Sequence, residues 1–135
     1  MAFRVSVNYL LDTCGLIWLV NGAAELSSGA RAACGQPGIV LCVSAISSWE
    51  MALKQARKKL SLQKPLLEWW AEAIARHALV ELPISAKIAI RSVELESIHG
   101  DPADRLLIAT AQEHGLTLLT PDPVIAKYSN LNVLW

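Results

Sequence analysis

The sequence predicts an α/β fold, a parallel sheet of four to five strands with helices on both faces. Three observations predict it. The strand-like segments are short and continuously apolar rather than alternating, as strands buried on both faces must be. They alternate with segments that carry helix start and stop signals. At 135 residues the chain is long enough to close one hydrophobic core, so a single domain over residues 1–135 is expected.

Taken in order, "VNYLL" (7–11) reads as the first buried strand, ending at Asp12. "CGLIWLV" (14–20) is a short helix closed by Asn21-Gly22, and "LSSGARAAC" is a second, with a serine cap and Gly35 as its stop. "GIVLCVS" (38–44), β-branched and apolar, is the second strand. A helix is predicted from Ser44 or Ser47 to about Leu60, and Pro65 opens the next, "PLLEWWAEAIARHA". "LVELPI" (79–84) is the third strand and "SAKIAIRSVELESI" (85–98) a helix. "DPADRLLIATAQEHG" is a helix marked at both ends, by Asp-Pro and by His-Gly. "LTLLT" (116–120) is a strand, and "LNVLW" (131–135) an edge strand.

Composition narrows the function classes. Hydrophobic residues make up 53% of the chain, and the mean hydropathy is +0.37. Surplus apolar surface of this kind predicts a homodimer or a tight protein partner. The longest uncharged stretch, Ala32 to Trp49, is broken by Gly35, Gln36, Pro37 and Gly38, a poor membrane span. No signal peptide is evident in "MAFRVSVNYLLDT", and Cys14, Cys34 and Cys42 are odd in number and lack metal or disulfide spacing. The expected location is the cytoplasm. Twelve basic and twelve acidic residues cancel, so no global field draws the protein to nucleic acid. A local basic patch stands apart, since Lys54, Arg57, Lys58, Lys59 and Lys64 fall together.

The carboxylates are the informative residues. Asp12 and Asp122 follow strands, Glu50 lies early in the helix after the second strand, and Asp101 and Asp104 open a helix. In a parallel sheet, sites form beyond the carboxyl ends of the strands, which places these acids on one rim. Capping is the competing explanation. Ser47-Ser48-Trp49-Glu50 fits a capping box, and Asp101-Pro102-Ala103-Asp104 fits a cap followed by a dipole-favoured acid. Capping accounts for neither Asp12 nor Asp122 as strand-ending residues. Convergent carboxylates repel unless a cation is present, and hard oxygen ligands of this type suit Mg²⁺ or Mn²⁺. Lys54, four residues after Glu50, is either an i,i+4 ion-pair partner or a cation beside the metal site. Arg57 extends it toward a phosphate-binding stripe, while Lys58 and Lys59 read as solvated helix face.

"LLDT" (10–13), "SAISSWEMALK" (44–54), "GDPADRLLIATA" (100–111) and "LTLLTPD" (116–122) together resemble the PIN domain, and more narrowly the VapC toxins of bacterial VapBC toxin–antitoxin pairs. The resemblance implies a PIN-like three-layer fold and a Mg²⁺- or Mn²⁺-dependent endoribonuclease using one or two ions. It implies an RNA substrate, a homodimer, and a cognate VapB-type antitoxin that occupies the active-site groove. By position, Asp12, Glu50, Asp104 and Asp122 are its catalytic and metal-binding acids, with Asp101 left as the cap. Thr13 and Thr120 match hydroxyl positions beside the first and last acids. Arg105 follows the third acid, in a supporting role or as a structural ion pair, and Lys54 and Arg57 are the expected RNA contacts. Two departures stand out. Family members often carry a glycine where this chain reads "ARKKL", and Pro121 and Pro123 bracket Asp122, removing two backbone N–H groups that could orient it.

Two other classes compete. A signalling receiver would want paired acids by the first strand and a phospho-accepting aspartate after a middle strand, and this chain has neither. A catalytically inactive PIN-like module binding RNA or protein would keep the acids as caps. His77, His99 and His114 read as helix surface, loop and helix C-terminus. Trp69 and Trp70, adjacent on a helix, read as core or dimer surface, or one of them as exposed for a partner. Trp18 and Trp49 read as core or antitoxin-groove residues.

Overall fold

Tyr9–Leu11 forms β1, a three-residue strand buried at every position, in a computed structural model that describes residues 8–135. Val7, the start of the expected strand, and the segment inspected for a leader before it lie outside the described residues. Leu41–Ser44 is β2, Leu79–Leu82 is β3, Thr117–Leu119 is β4 and Asn132–Leu134 is β5. All neighbours pair in parallel, in the order β3-β2-β1-β4-β5. The chain therefore leaves β1 toward β2 on one side and returns through β4 on the other. Connections diverging in this way leave a crevice at the carboxyl ends of β1 and β4.

Period-2 geometry divides the apolar residues between two faces. Tyr9, Leu11, Leu41, Val43 and Leu119 face one cluster, with Leu16, Met51, Trp69 and Trp70 from the helices. Leu10, Cys42 and Leu118 face the other, against Leu107, Ile108, Ala111, Ile125 and Tyr128. The result is the expected three-layer arrangement. One layer holds α1 (Thr13–Asn21), α3 (Ala45–Ala56) and α4 (Leu66–Arg76), with Ala33 of α2 (Ser28–Cys34) packed beneath them. The other holds α6 (Pro102–His114), against which α5 (Ala86–Glu94) packs.

Four local readings need correction. Helix α3 starts at Ala45 with Ser44 as its cap, its hydroxyl accepting from the Ile46 N–H, so Ser47–Glu50 is not a capping box. It also ends at Ala56, short of Leu60, because Lys58 adopts φ 57°, the left-handed region that favours glycine. That is where relatives are expected to carry the glycine this chain lacks. Helix α5 stops at Glu94 rather than residue 98, with Leu95 already extended. Trp69 and Trp70 are both buried, and the Trp70 indole N–H donates to Glu81 Oε1 at 2.6 Å, so neither is an exposed partner contact. Among the described residues no helix is long and apolar enough to cross a membrane.

Candidate active site and metal centre

Asp12 leaves β1 at the mouth of the crevice and is only 8% exposed. It does cap a helix: its Oδ1 accepts from the Gly15 N–H at 2.6 Å, which starts α1. The fit is tight, since a Cβ added to Gly15 would lie 2.8 Å from that oxygen. Burial raises the Asp12 pKa above the ordinary carboxylate value. The Gly15 N–H and the Thr120 hydroxyl oppose that rise, while the charges of Glu50 and Asp122 add to it.

Glu50 comes from the second turn of α3. Its Oε1 lies 2.5 Å from Thr13 Oγ1, which also lies 2.9 Å from the buried Ser47 hydroxyl. A carboxylate can only accept, so the single Thr13 proton goes to Glu50 and the Ser47 hydroxyl supplies the other bond. Ser47, inferred from the sequence to cap, instead helps hold an acid through Thr13. Burial raises the Glu50 pKa as well; Thr13 and Lys54 counter it and Asp101 reinforces it.

Of the two aspartates of "DPAD", Asp101 takes the capping role expected of it. Asp101 Oδ1 accepts from the N–H groups of Ala103 and Asp104, at 2.8 and 3.2 Å, capping α6 behind Pro102. Asp104, freed from capping, faces the crevice. Burial pushes its pKa up to about 6, helped by the charges of Asp101, Glu50 and Asp122 and opposed by His99. Asp122 is oriented despite its flanking prolines. Its Oδ1 accepts from the Val124 N–H at 2.9 Å, and its own N–H donates to Thr120 Oγ1 at 3.3 Å. Strand-ending Asp122 therefore also makes a local backbone turn, contrary to the expectation that such bonding explains neither it nor Asp12.

One site residue escaped sequence reasoning. His99 Nε2 lies 3.0 Å from Asp104 Oδ2 and 3.3 Å from Asp122 Oδ2. Among the described residues these three form the one group of possible ligand atoms lying within 4.8 Å of one another. Asp12 and Glu50 lie outside that tight group but within charge range of it. The only sequence signal for His99 is its position two residues before the capping aspartate.

Arg105 is neither an ion-pair partner nor a group facing the crevice. Its guanidinium donates to the carbonyls of Ser92, Val93, Leu95, Glu96 and His99 at 2.9–3.3 Å. It thus satisfies carbonyls left unpaired where α5 ends. Lys54 is likewise not in contact with Glu50 as an i,i+4 pair, although its charge is felt there. Lys54, Arg57 and Lys59 line a groove of about 320 Å³ with Trp49, Glu50 and Asp101. The Trp49 indole is 54% exposed on that groove, not core. Trp18 packs against Trp135, ring centroids 5.7 Å apart.

Four acids brought within charge range of one another, with burial raising the pKa of Asp12, Glu50 and Asp104 and local donors orienting Asp12, Glu50 and Asp122, have the donor chemistry of a divalent-cation site. Such a rim beside the strand-order switch of a parallel sheet describes a PIN domain. The PIN domain family matches residues 9–131, and the chain belongs to it. Its relatives include Ribonuclease VapC22 of Mycobacterium tuberculosis, 37% identical over 114 residues that cover 84% of this chain and 85% of that protein. Among solved structures, VapBC2 from Rickettsia felis bound to a promoter DNA fragment shares the fold at TM-score 0.70. There the identity is 17%, with 94% of this chain and 97% of that chain covered. A toxin–antitoxin complex from Klebsiella pneumoniae is similar at TM-score 0.61 and 27% identity, covering 91% and 94%.

Proposed function

We propose that the protein is a Mg²⁺- or Mn²⁺-dependent endoribonuclease of the VapC toxin type, acting in the cytoplasm and held inactive by a VapB-type antitoxin. The observation that carries this reading is the set of four acids converging on one rim, with too few cations among them to balance their charge. Identity to a VapC ribonuclease supports the RNA substrate, and likeness to toxin–antitoxin complexes supports the partner. The exposed Ile90 and Val93 of α5 support a homodimer, as the high hydropathy does.

Asp12, Glu50, Asp104 and Asp122 would hold one or two ions. A bound divalent cation lowers the pKa of water and balances charge on phosphate oxygens. The protein's own residues prepare that place. Thr13 holds Glu50 and the Gly15 N–H holds Asp12, each bond fixing one oxygen and leaving the rest of the carboxylate available. Lys54 and Arg57, along the groove that reaches Glu50, draw an RNA backbone toward the acids.

The test is RNA cleavage by the purified protein with Mg²⁺ or Mn²⁺ against excess EDTA, beside Asp104→Asn. Activity should vanish in both controls. Metal-independent cleavage equal in the variant would overturn the reading. If no RNA tried is cut, a melting temperature that Mn²⁺ fails to raise would mark a binding module instead.

A further inference from the structure

The geometry points to His99 as the residue that positions Asp104 and Asp122: it donates from Nε2 to both carboxylates and is not itself a metal ligand. This inference rests on the metal-site reading above.

The tautomer decides it. His99 Nδ1 lies 3.1 Å from the Asp101 backbone N and accepts its N–H. A ring nitrogen that accepts carries no proton, so the proton of the neutral imidazole sits on Nε2. That N–H faces Asp104 Oδ2 at 3.0 Å and Asp122 Oδ2 at 3.3 Å, a bond shared between two acids from different elements. Ligation would need the opposite tautomer, with a lone pair on Nε2 and a proton on Nδ1 pointed at the Asp101 N–H. Two donors would then oppose each other at the start of α6.

The backbone that carries the ring is also held. The His99 N–H donates to the Tyr128 hydroxyl at 2.7 Å, and its carbonyl accepts from Arg105 Nη1 at 3.1 Å. Arg105 and Tyr128 touch each other at 3.3 Å. The arginine that follows the third acid in sequence therefore acts on the site through the histidine. With Oδ1 of Asp122 taken by Val124 and Oδ2 by His99, the angle of that carboxylate is set before any ion arrives. Outer partners that orient ligands in this way typically change metal affinity by 10–100-fold when removed.

The experiment titrates Mn²⁺ into wild type, His99→Ala and His99→Gln by calorimetry, and records pulsed EPR of the wild-type and His99→Gln Mn²⁺ complexes for coupling to a histidine nitrogen. His99→Ala should weaken Mn²⁺ by roughly 10–100-fold. His99→Gln, whose amide N–H can take the place of Nε2–H, should restore most of it. The wild-type spectrum should show no ligand nitrogen. A nitrogen coupling that disappears in His99→Gln would overturn the assignment, making His99 a ligand. Equal affinity in all three proteins would overturn it by removing any positioning role. If alanine prevents folding, the glutamine variant and the wild-type spectrum decide the matter. Failure of the metal site itself is distinguishable, because wild type would then take up no Mn²⁺ at all, which overturns both readings.

Discussion

Helix α6 carries an acid near each end, and the two live in opposite surroundings. Glu113, in the last turn, meets Lys87 Nζ at 2.9 Å and Arg91 at 3.3 Å, and these cations hold its pKa below the usual value. Asp104, in the first turn, has acids for neighbours and is pushed up to about 6. The helix dipole favours a negative charge at the first end and disfavours it at the second. Local electrostatics alone would therefore predict the reverse. What overrides the dipole is burial, then the charge of the capping Asp101, with Glu50 from α3 and Asp122 from beyond β4 adding to it. A carboxylate balanced by its neighbours stabilises the fold in a small way. One left unbalanced marks a candidate site, because perturbed groups of this kind cluster at functional sites.

The contrast breaks most sharply at Asp12. Asp12→Asn keeps an oxygen to accept from Gly15, since asparagine caps as well as aspartate, but removes a buried charge from the rim. Cleavage should fall by about 10²-fold or more, as when a principal charge-stabilising group is lost. The metal-free melting temperature should hold or rise. Steady-state cleavage and calorimetric melting check the pair of outcomes, and a variant that cuts like wild type would remove Asp12 from the site.

Acidification sharpens the same contrast. The folded-state pKa of Asp104 lies above its unfolded value, so the folded protein binds the proton more tightly than the unfolded chain does. Stability from that group is complete below about 3.8 and is lost as pH rises toward about 6. The raised values of Asp12 and Glu50 act in the same direction. Metal-free protein should therefore melt higher as the pH falls through about 6, and Asp104→Asn should flatten that slope. Melting in EDTA across this range measures it. Mn²⁺ affinity should weaken over the same interval, because protons compete for the ligands.

The smallest effect belongs to Glu113. Its depressed pKa contributes stability above the unfolded value that is lost as pH falls through the folded one, and its partners sit at the surface. Glu113→Gln should shift the melting temperature by about 2 °C or less and leave cleavage unchanged. A large loss of activity would mean that α6 transmits charge along its length, and the separation of its two ends would fail.

Much of this was legible in the residue order. Continuous apolar runs predicted the strands, and the Asp-Pro start and His-Gly stop bounded α6 almost to the residue. The split between Asp101 as cap and Asp104 as free acid was also readable, because Asp-Pro is a helix start by local sterics. The capping box at Ser47–Glu50 misled, since Ser44, at the end of β2, reaches the helix first and leaves Ser47 to Thr13. Arg105 was legible as a neighbour of an acid and nothing more. Its carbonyl partners lie in α5 and the loop beyond it.

Near neighbours along the chain fix strand and helix identity, the caps, the apolar faces, and a set of acids spaced to end strands and begin helices. Which of those groups meet depends on the folded chain as a whole. His99 touches Asp122 across 23 residues of chain, and Thr13 touches Glu50 across 37. No local preference encodes such pairs. They follow from the order β3-β2-β1-β4-β5, which sets the ends of β1 and β4 side by side and lets α6 bring its first turn to them. Charge repulsion acts through space and not along the chain, so the imbalance that marks the site exists only once the sheet has closed that distance.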